Sequence, residues 1–347
     1  MPRFFEPNSP WKKNNFDLKF LWVVTVAITA LFTAASNILI CLAVWKDPNK
    51  NLRKKPSNVL IFSQAIADFF VGIIQNPLGI WWLVTFSNSA AFSIEVVGSL
   101  FMIVSIFHVV ALAFDRHVAI VTPLEYSWKI TKSRTKQVCV ALWIYSALYM
   151  LIRTLFLVFK LPIVVNVLSG LHTVLPSFVC TLIYIRVLLV ICSYRKSIGN
   201  LDESGKLVMN AYARQKQFTK ATIVAFLLFV FCVTPWFVLY QIIDACPTCE
   251  DNKSLEMYLF AAFYFLFMCK SALNPFLYAW RLPKFRSALR QLIKRNRIGP
   301  RAPQYRFSSK HLKTCNPKRM AEKYSNTASH SATNQYLRRI SSPTEQS

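Results

Sequence analysis

Long apolar runs alternate with short basic stretches along most of this chain. A bilayer core about 30 Å thick is crossed by roughly 20 apolar residues in helical form, and a window of that size finds seven such runs. They fall near 20–45, 58–84, 91–121, 138–159, 163–193, 217–244 and 255–280. Only Lys160, Leu161 and Pro162 separate the fourth from the fifth, which raises a six-span count. The fused run is too long for one crossing, however, and Pro162 supplies the break. The expected fold is an all-α membrane protein, a seven-transmembrane helix bundle. After the seventh run, Phe285, Leu289, Leu292 and Ile293 alternate with Lys284, Arg286, Arg290, Lys294 and Arg295, the pattern of a short interfacial C-terminal helix on an anionic leaflet.

The basic loops set an orientation. Lys46, Lys50, Arg53, Lys54 and Lys55 follow the first run, Lys129, Lys132, Arg134 and Lys136 the third, and Arg195, Lys196, Lys206, Arg214, Lys216 and Lys220 the fifth. The opposite loops hold little beyond Lys160 and Lys253, against Asp244, Glu250, Asp251 and Glu256. The positive-inside rule then places the N-terminus outside and the C-terminus in the cytosol. The expected organisation is an extracellular tail 1–19, a transmembrane domain 20–295 and a disordered cytosolic tail 296–347. The first residues lack the apolar core and small-residue site of a cleavable signal peptide, so the first run itself directs insertion.

Composition sharpens this picture. Of 347 residues 54% are hydrophobic, yet 41 Lys and Arg against 15 Asp and Glu give a net charge of +26. A water-soluble domain accommodates the two figures poorly; a membrane protein with its charge on one rim accommodates both. A mean hydropathy of +0.36 argues against a disordered chain. It also makes the basic charge a record of topology rather than a nucleic-acid footprint. The five His residues (His108, His117, His172, His311, His330) show no metal-ligand spacing, and no cofactor is expected.

Charges inside the runs are few, and each is a candidate site, because a charge at the bilayer centre costs about 2.5 to 3.5 kcal/mol on insertion scales. Asp68 in the second run and Lys270 in the seventh lie at similar depth, about 15 Å from the inner ends, which suggests a pair. Ser105 matches their depth and offers a hydroxyl. Such a pair serves either to hold the bundle together or to switch it. Arg153 is expected to snorkel, and Glu95 to face either headgroups or an outer cavity.

Several runs also carry recognisable words. The first has Ser36-Asn37, the second Ala65-Ile66-Ala67-Asp68, and the third ends in Asp115-Arg116-His117, followed by Pro123-Leu124. The fourth has Trp143, the fifth Pro176 with Tyr184 beyond it, and the sixth Cys232-Val233-Thr234-Pro235. The seventh ends in Asn274-Pro275-Phe276-Leu277-Tyr278 and leads to Phe285-Arg286. In order and at these intervals, the set resembles the rhodopsin-like (class A) family of G-protein-coupled receptors. The resemblance implies a two-state bundle that converts binding of an extracellular ligand into activation of a heterotrimeric G protein. Arg116 would be released from Asp115 as the sixth helix moves outward, with Tyr184 and Tyr278 turning inward, and Pro176, Pro235 and Pro275 supplying kinks. A transporter or channel is the competing class, but no internal repeat is evident.

The departures from the family shape the remaining expectations. Ala91 occupies the place of the usual Cys at the outer end of the third helix, and the second outer loop is nearly absent. Cys246 and Cys249, in the third outer loop, are instead candidates for an intraloop disulfide across the turn at Pro247. The short second loop is similar to melanocortin, cannabinoid and lysophospholipid receptors; the outer Cys pair and the stretch 274–286 are similar to adenosine receptors. Gly98 stands where amine receptors have their Asp, which disfavours an amine. Tyr240, Phe267 and Met268 stand where adenosine receptors place their polar contacts, so adenosine recognition is not supported. The outer cavity is expected to draw on Trp81, Trp82, Glu95, Met102, Trp236, Tyr240, Phe267 and Met268, aromatics that serve equally as packing.

Opsins carry retinal on a seventh-helix Lys, but that Lys lies farther from the Asn-Pro pair than Lys270 does. The offset of about two residues rotates a helix by about 200° and shifts the side chain by about 3 Å, so Lys270 misses that cavity. It occupies a place where the family has a small polar residue facing a sodium ion at the second-helix Asp, and its ammonium is expected to replace that ion beside Asp68. The inner end of the sixth helix, Arg214-Gln215-Lys216-Gln217, has no acid to hold Arg116, and Val233 replaces the usual Trp. Appreciable basal signalling is therefore expected. Ser308, Ser309 and Ser341 in the basic tail are candidates for receptor kinases and arrestin docking, and Asn252 for glycosylation.

Overall fold

The protein is described from a computed structural model that defines residues 16–46, 52, 54–196, 203–245, 253–281, 285–287 and 290. These residues belong to one compact unit, 1–296. Seven long helices follow in order: α1 (Phe16–Trp45), α2 (Pro56–Thr85), α3 (Asn88–Val121), α4 (Lys132–Val158), α5 (Pro162–Lys196), α6 (Glu203–Ala245) and α7 (Lys253–Arg281). The first six are long and apolar enough to cross a membrane, and α7 adds 29 residues to the same bundle. Helices solve the problem that hydrocarbon offers no partner to backbone N–H and C=O groups. The chain is a seven-helix membrane bundle. Phe285–Ser287 is helical beyond α7, and buried Phe285 packs its ring 6.4 Å from that of Tyr278.

The fused fourth and fifth runs are two helices, and the break is local chemistry. Lys160 takes a left-handed φ of 57°; its N–H reaches the Leu157 carbonyl at 3.2 Å, and the Leu161 N–H reaches Phe156 at 3.0 Å. Those two bonds close two of the orphan carbonyls of α4, and Pro162 opens α5, where a missing N–H costs nothing. Hydroxyl caps start two other helices. Ser87 Oγ accepts from the Ser89 N–H at 3.2 Å for α3, and Thr131 Oγ1 accepts from the Arg134 N–H at 3.3 Å for α4.

Helix α2 is not regular throughout. Val71–Gln75 forms a π turn in which the Asn76 N–H reaches back to the Val71 carbonyl. Pro77 follows and lacks the donor that would continue a regular ladder. Gly72 uses the wider turn to meet α1: a Cβ there would stand 2.7 Å from the Ala34 nitrogen and 2.9 Å from the Ala30 oxygen. Helices α4 and α5 lie at the periphery, with Leu148, Leu151, Leu155, Leu175, Leu182 and Leu189 exposed, as expected of lipid-facing surface.

Candidate functional site

At the C-terminal end of α3, Arg116 is 1% exposed and is the centre of a closed polar cluster. It pairs with Asp115, its Nε donating to Oδ2 at 2.9 Å. Nη2 donates to Ser57 Oγ at 2.6 Å, and Ser57 in turn donates to Asp115 at 2.8 Å. The hydroxyl of Tyr126, in the one-turn helix Tyr126–Lys129 that follows α3, donates to Asp115 Oδ1 at 2.9 Å. Burial, with the Asp115 charge adding to it, pushes the Tyr126 phenol up to about 12, so it remains a donor at physiological pH. From α6, Gln215 Oε1 accepts from Arg116 Nη1 at 3.1 Å, and the Phe218 ring centroid lies 4.2 Å from the guanidinium.

The sequence reading found Asp115 and Arg116 but missed the rest of this cluster. The stretch Arg214-Gln215-Lys216-Gln217 has no acid to hold Arg116, and Gln215 grips it instead with a neutral amide oxygen. Ser57, Tyr126 and Phe218 carry no motif that flags them, because their role comes only from facing Arg116 across helices. His117 lies outside the cluster, half-buried and 6.5 Å from the Phe114 ring. Tyr184 and Tyr278 are both buried and line a narrow cavity with Gln64, Thr222, Phe226, Phe229 and Asn274. Tyr278 donates to Gln64 at 3.3 Å, and the Tyr184 ring packs 5.2 Å from Phe226. Pro235 and Pro275 lie within α6 and α7, as expected.

At mid-bundle Asp68 is 1% exposed, and α7 satisfies it with neutral donors: Ser271 Oγ at 2.6 Å and Asn274 Nδ2 at 2.8 Å. Asn37 joins through the Ser271 carbonyl at 3.0 Å. The expected contact pair is not formed. Among the described residues no ion pair joins Lys270 to Asp68, although the two interact electrostatically, and the Lys270 ammonium stands over the rings of Phe229 and Phe267. Ser105 is buried, and its hydroxyl makes no hydrogen bond among the described residues. It does not join Asp68 as expected.

The N-terminal half of α3 corrects another expectation. Arg153 does not snorkel: its Nη2 pairs with Glu95 Oε2 at 2.6 Å, its Nε donates to Ser169 at 3.2 Å, and both charged side chains are buried. The opposite charge on a facing helix compensates the buried guanidinium in place of a stretch to the headgroups. Glu95 is thereby engaged by α4. Trp236 packs 5.1 Å from Tyr264 and 6.1 Å from Phe267, near buried Trp82 and Met268, while Met102 lies half-buried against the neighbouring cluster that includes Tyr184, Phe226 and Val233. Trp81 is exposed and does not join them. Gly98 makes room for Gln75, whose Nε2 would lie 3.3 Å from a Cβ there. The side chain of Tyr240 lies outside the described residues, as do Cys246, Cys249, Asn252, Ser308, Ser309 and Ser341. No metal-binding cluster occurs among the described residues.

Seven apolar helices, a buried Asp-Arg pair capped by the sixth, and an Asn-Pro-x-x-Tyr segment bonded to the second-helix Asp define a membrane signalling receptor. The family description "7 transmembrane receptor (rhodopsin family)" matches residues 36–278, and the chain belongs to that family of G-protein-coupled receptors. Among its relatives is the dog adenosine receptor A2a, 25% identical over 315 residues that cover 81% of this chain and 74% of the relative. The zebrafish trace amine-associated receptor 13c is 26% identical over 302 residues, 78% of this chain and 84% of the relative. The rat trace amine-associated receptor 9 is 26% identical over 322 residues, 82% and 88% respectively. A transporter or channel is not favoured.

Proposed function

We propose that this plasma-membrane receptor rests in a closed state with appreciable basal signalling, and that its ligand is neither an amine nor adenosine. The burial of Arg116 beneath Gln215 and Phe218 carries the first part. That clasp blocks the residue the family presents to a G protein, yet a neutral acceptor offers a cation less than a carboxylate would. Outward movement of α6 breaks the contacts of Gln215 and Phe218 together and frees Arg116, while the proline-containing stretches of α6 and α7 absorb the bend. The engagement of Glu95 by Arg153 and the Gly at position 98 support the exclusion of an amine, because each removes an acid that an ammonium would need, and Phe267 and Met268, apolar where adenosine receptors have polar contacts, support the exclusion of adenosine.

In this reading the N-terminus lies outside, the C-terminus in the cytosol and the G protein at the inner face, an orientation that the basic loops support through the positive-inside rule. Receptor kinases acting on the tail at Ser308, Ser309 and Ser341, followed by arrestin, complete the proposed partners. Domain limits of 1–19, 20–295 and 296–347, a Cys246–Cys249 bridge and a glycan at Asn252 belong to the same reading. Second-messenger levels in cells expressing the receptor without ligand should exceed those of mock cells, and Arg116→Ala should abolish the excess. Wild-type levels equal to mock would overturn the basal-activity reading. An N-terminal epitope should stain intact cells and a C-terminal one only permeabilised cells; the reverse pattern would sink the orientation.

A further inference from the structure

Lys270 is the buried charge that neither the inner clasp nor the outer Glu95–Arg153 pair accounts for. It is 5% exposed on α7, with Nζ 5.5 Å from the Phe267 ring centroid and 5.7 Å from that of Phe229 on α6. Among the described residues no hydrogen bond or ion pair holds it. Asp68 accepts instead from Ser271 and Asn274, neighbours of Lys270 on the same helix. The carboxylate is thus held by neutral donors while its natural counter-charge, coupled to it through the electric field, stands over aromatic rings. Among the described residues, Asn37, whose amide reaches the Ser271 carbonyl, finds no donor for its own Oδ1.

A cation in a low-dielectric interior is stabilised by ring faces or by a carboxylate, and a flexible four-carbon stem can offer it both. The two stations are neighbours in the bundle: Phe229, a ring beneath the ammonium, and Asn274, a donor to Asp68, line one narrow internal cavity. We propose that Lys270 is the resident cation of the bundle's polar centre, its ammonium exchanging between the Phe229 and Phe267 rings and the Asp68 carboxylate, so that diffusible cations are excluded from Asp68. Because α6 supplies Phe229 and α2 supplies Asp68, each station favours a different placement of α6 against the rest of the bundle.

The full-length receptor is purified in detergent and melted in sodium chloride and in N-methylglucamine chloride at equal ionic strength. The wild type should melt at the same temperature in both. Lys270→Met opens Asp68 to the ion, and its melting temperature should rise by about 2 to 4 °C in sodium, since a ligand bound only to the folded state stabilises it. That rise should vanish in Lys270→Met combined with Asp68→Asn. A wild type stabilised by sodium, or a Lys270→Met variant indifferent to it, overturns the proposal. Should Lys270→Met fail to fold, Asp68→Asn alone decides: it conserves volume and strands the Lys270 charge, so its melting temperature should fall below that of the wild type in both salts. An unchanged melt would overturn the proposal equally.

Discussion

At the residue scale, two buried Arg residues are handled in opposite ways. Arg153 is fixed by a carboxylate on a neighbouring helix, whereas Arg116 is fixed on α3 by Asp115 and only lightly gripped from α6 by Gln215. The first arrangement is static. Removing one partner leaves an uncompensated buried charge, so Glu95→Gln is expected to destabilise the receptor by about 3 to 5 kcal/mol, and Glu95→Gln with Arg153→Met by much less. Thermal melting of the single and double variants checks the difference. The second arrangement is adjustable. Gln215→Glu gives Arg116 a charged acceptor and should lower basal second-messenger output several-fold, while Gln215→Ala should raise it. Equal output from the two variants would show that Gln215 does not set the resting position of α6.

At the scale of elements, irregularities sit where helices approach closely or must end. The π turn at Val71–Gln75 brings Gly72 against the backbone of α1, and backbone atoms at 2.7 and 2.9 Å cannot move aside as a flexible side chain would. Gly72→Ala should therefore lower stability by about 1 to 3 kcal/mol, read as a fall in melting temperature. Gly79 is the contrasting control, since a Cβ there would lie 3.5 Å from the Tyr264 hydroxyl, an ordinary contact. Gly79→Ala should melt close to the wild type. The sequence reading placed kinks at Pro176, Pro235 and Pro275 and overlooked Pro77, because a π turn is fixed by packing against α1 as much as by the proline itself.

For the whole molecule, charge and hydrophobicity divide the labour. Apolar residues build the helices, and the buried charges of the described residues fall into three layers: Arg116 with Asp115 at one end of the bundle, Asp68 with Lys270 at the centre, Glu95 with Arg153 toward the other end. Span number and approximate position were legible in the sequence, since both follow from runs of apolar residues matched to bilayer thickness. The limits of α6 were not: it begins at Glu203, well before the apolar run starts near residue 217, because a helical ladder continues past the hydrocarbon wherever its side chains permit.

The sequence by itself determined the fold class, the helix order and the family, because a bilayer turns apolar run length directly into architecture and because short motifs at fixed intervals survive without knowledge of contacts. Only the tertiary structure decided the partners. Depth along a helix can be counted from sequence, but rotation about the helix axis and the choice of facing neighbour cannot. Asp68 and Lys270 share a depth without touching, while Glu95 and Arg153, read separately from sequence, form a buried pair. Gln215 likewise reads as one polar residue among several until the packing of α6 against α3 sets it on Arg116.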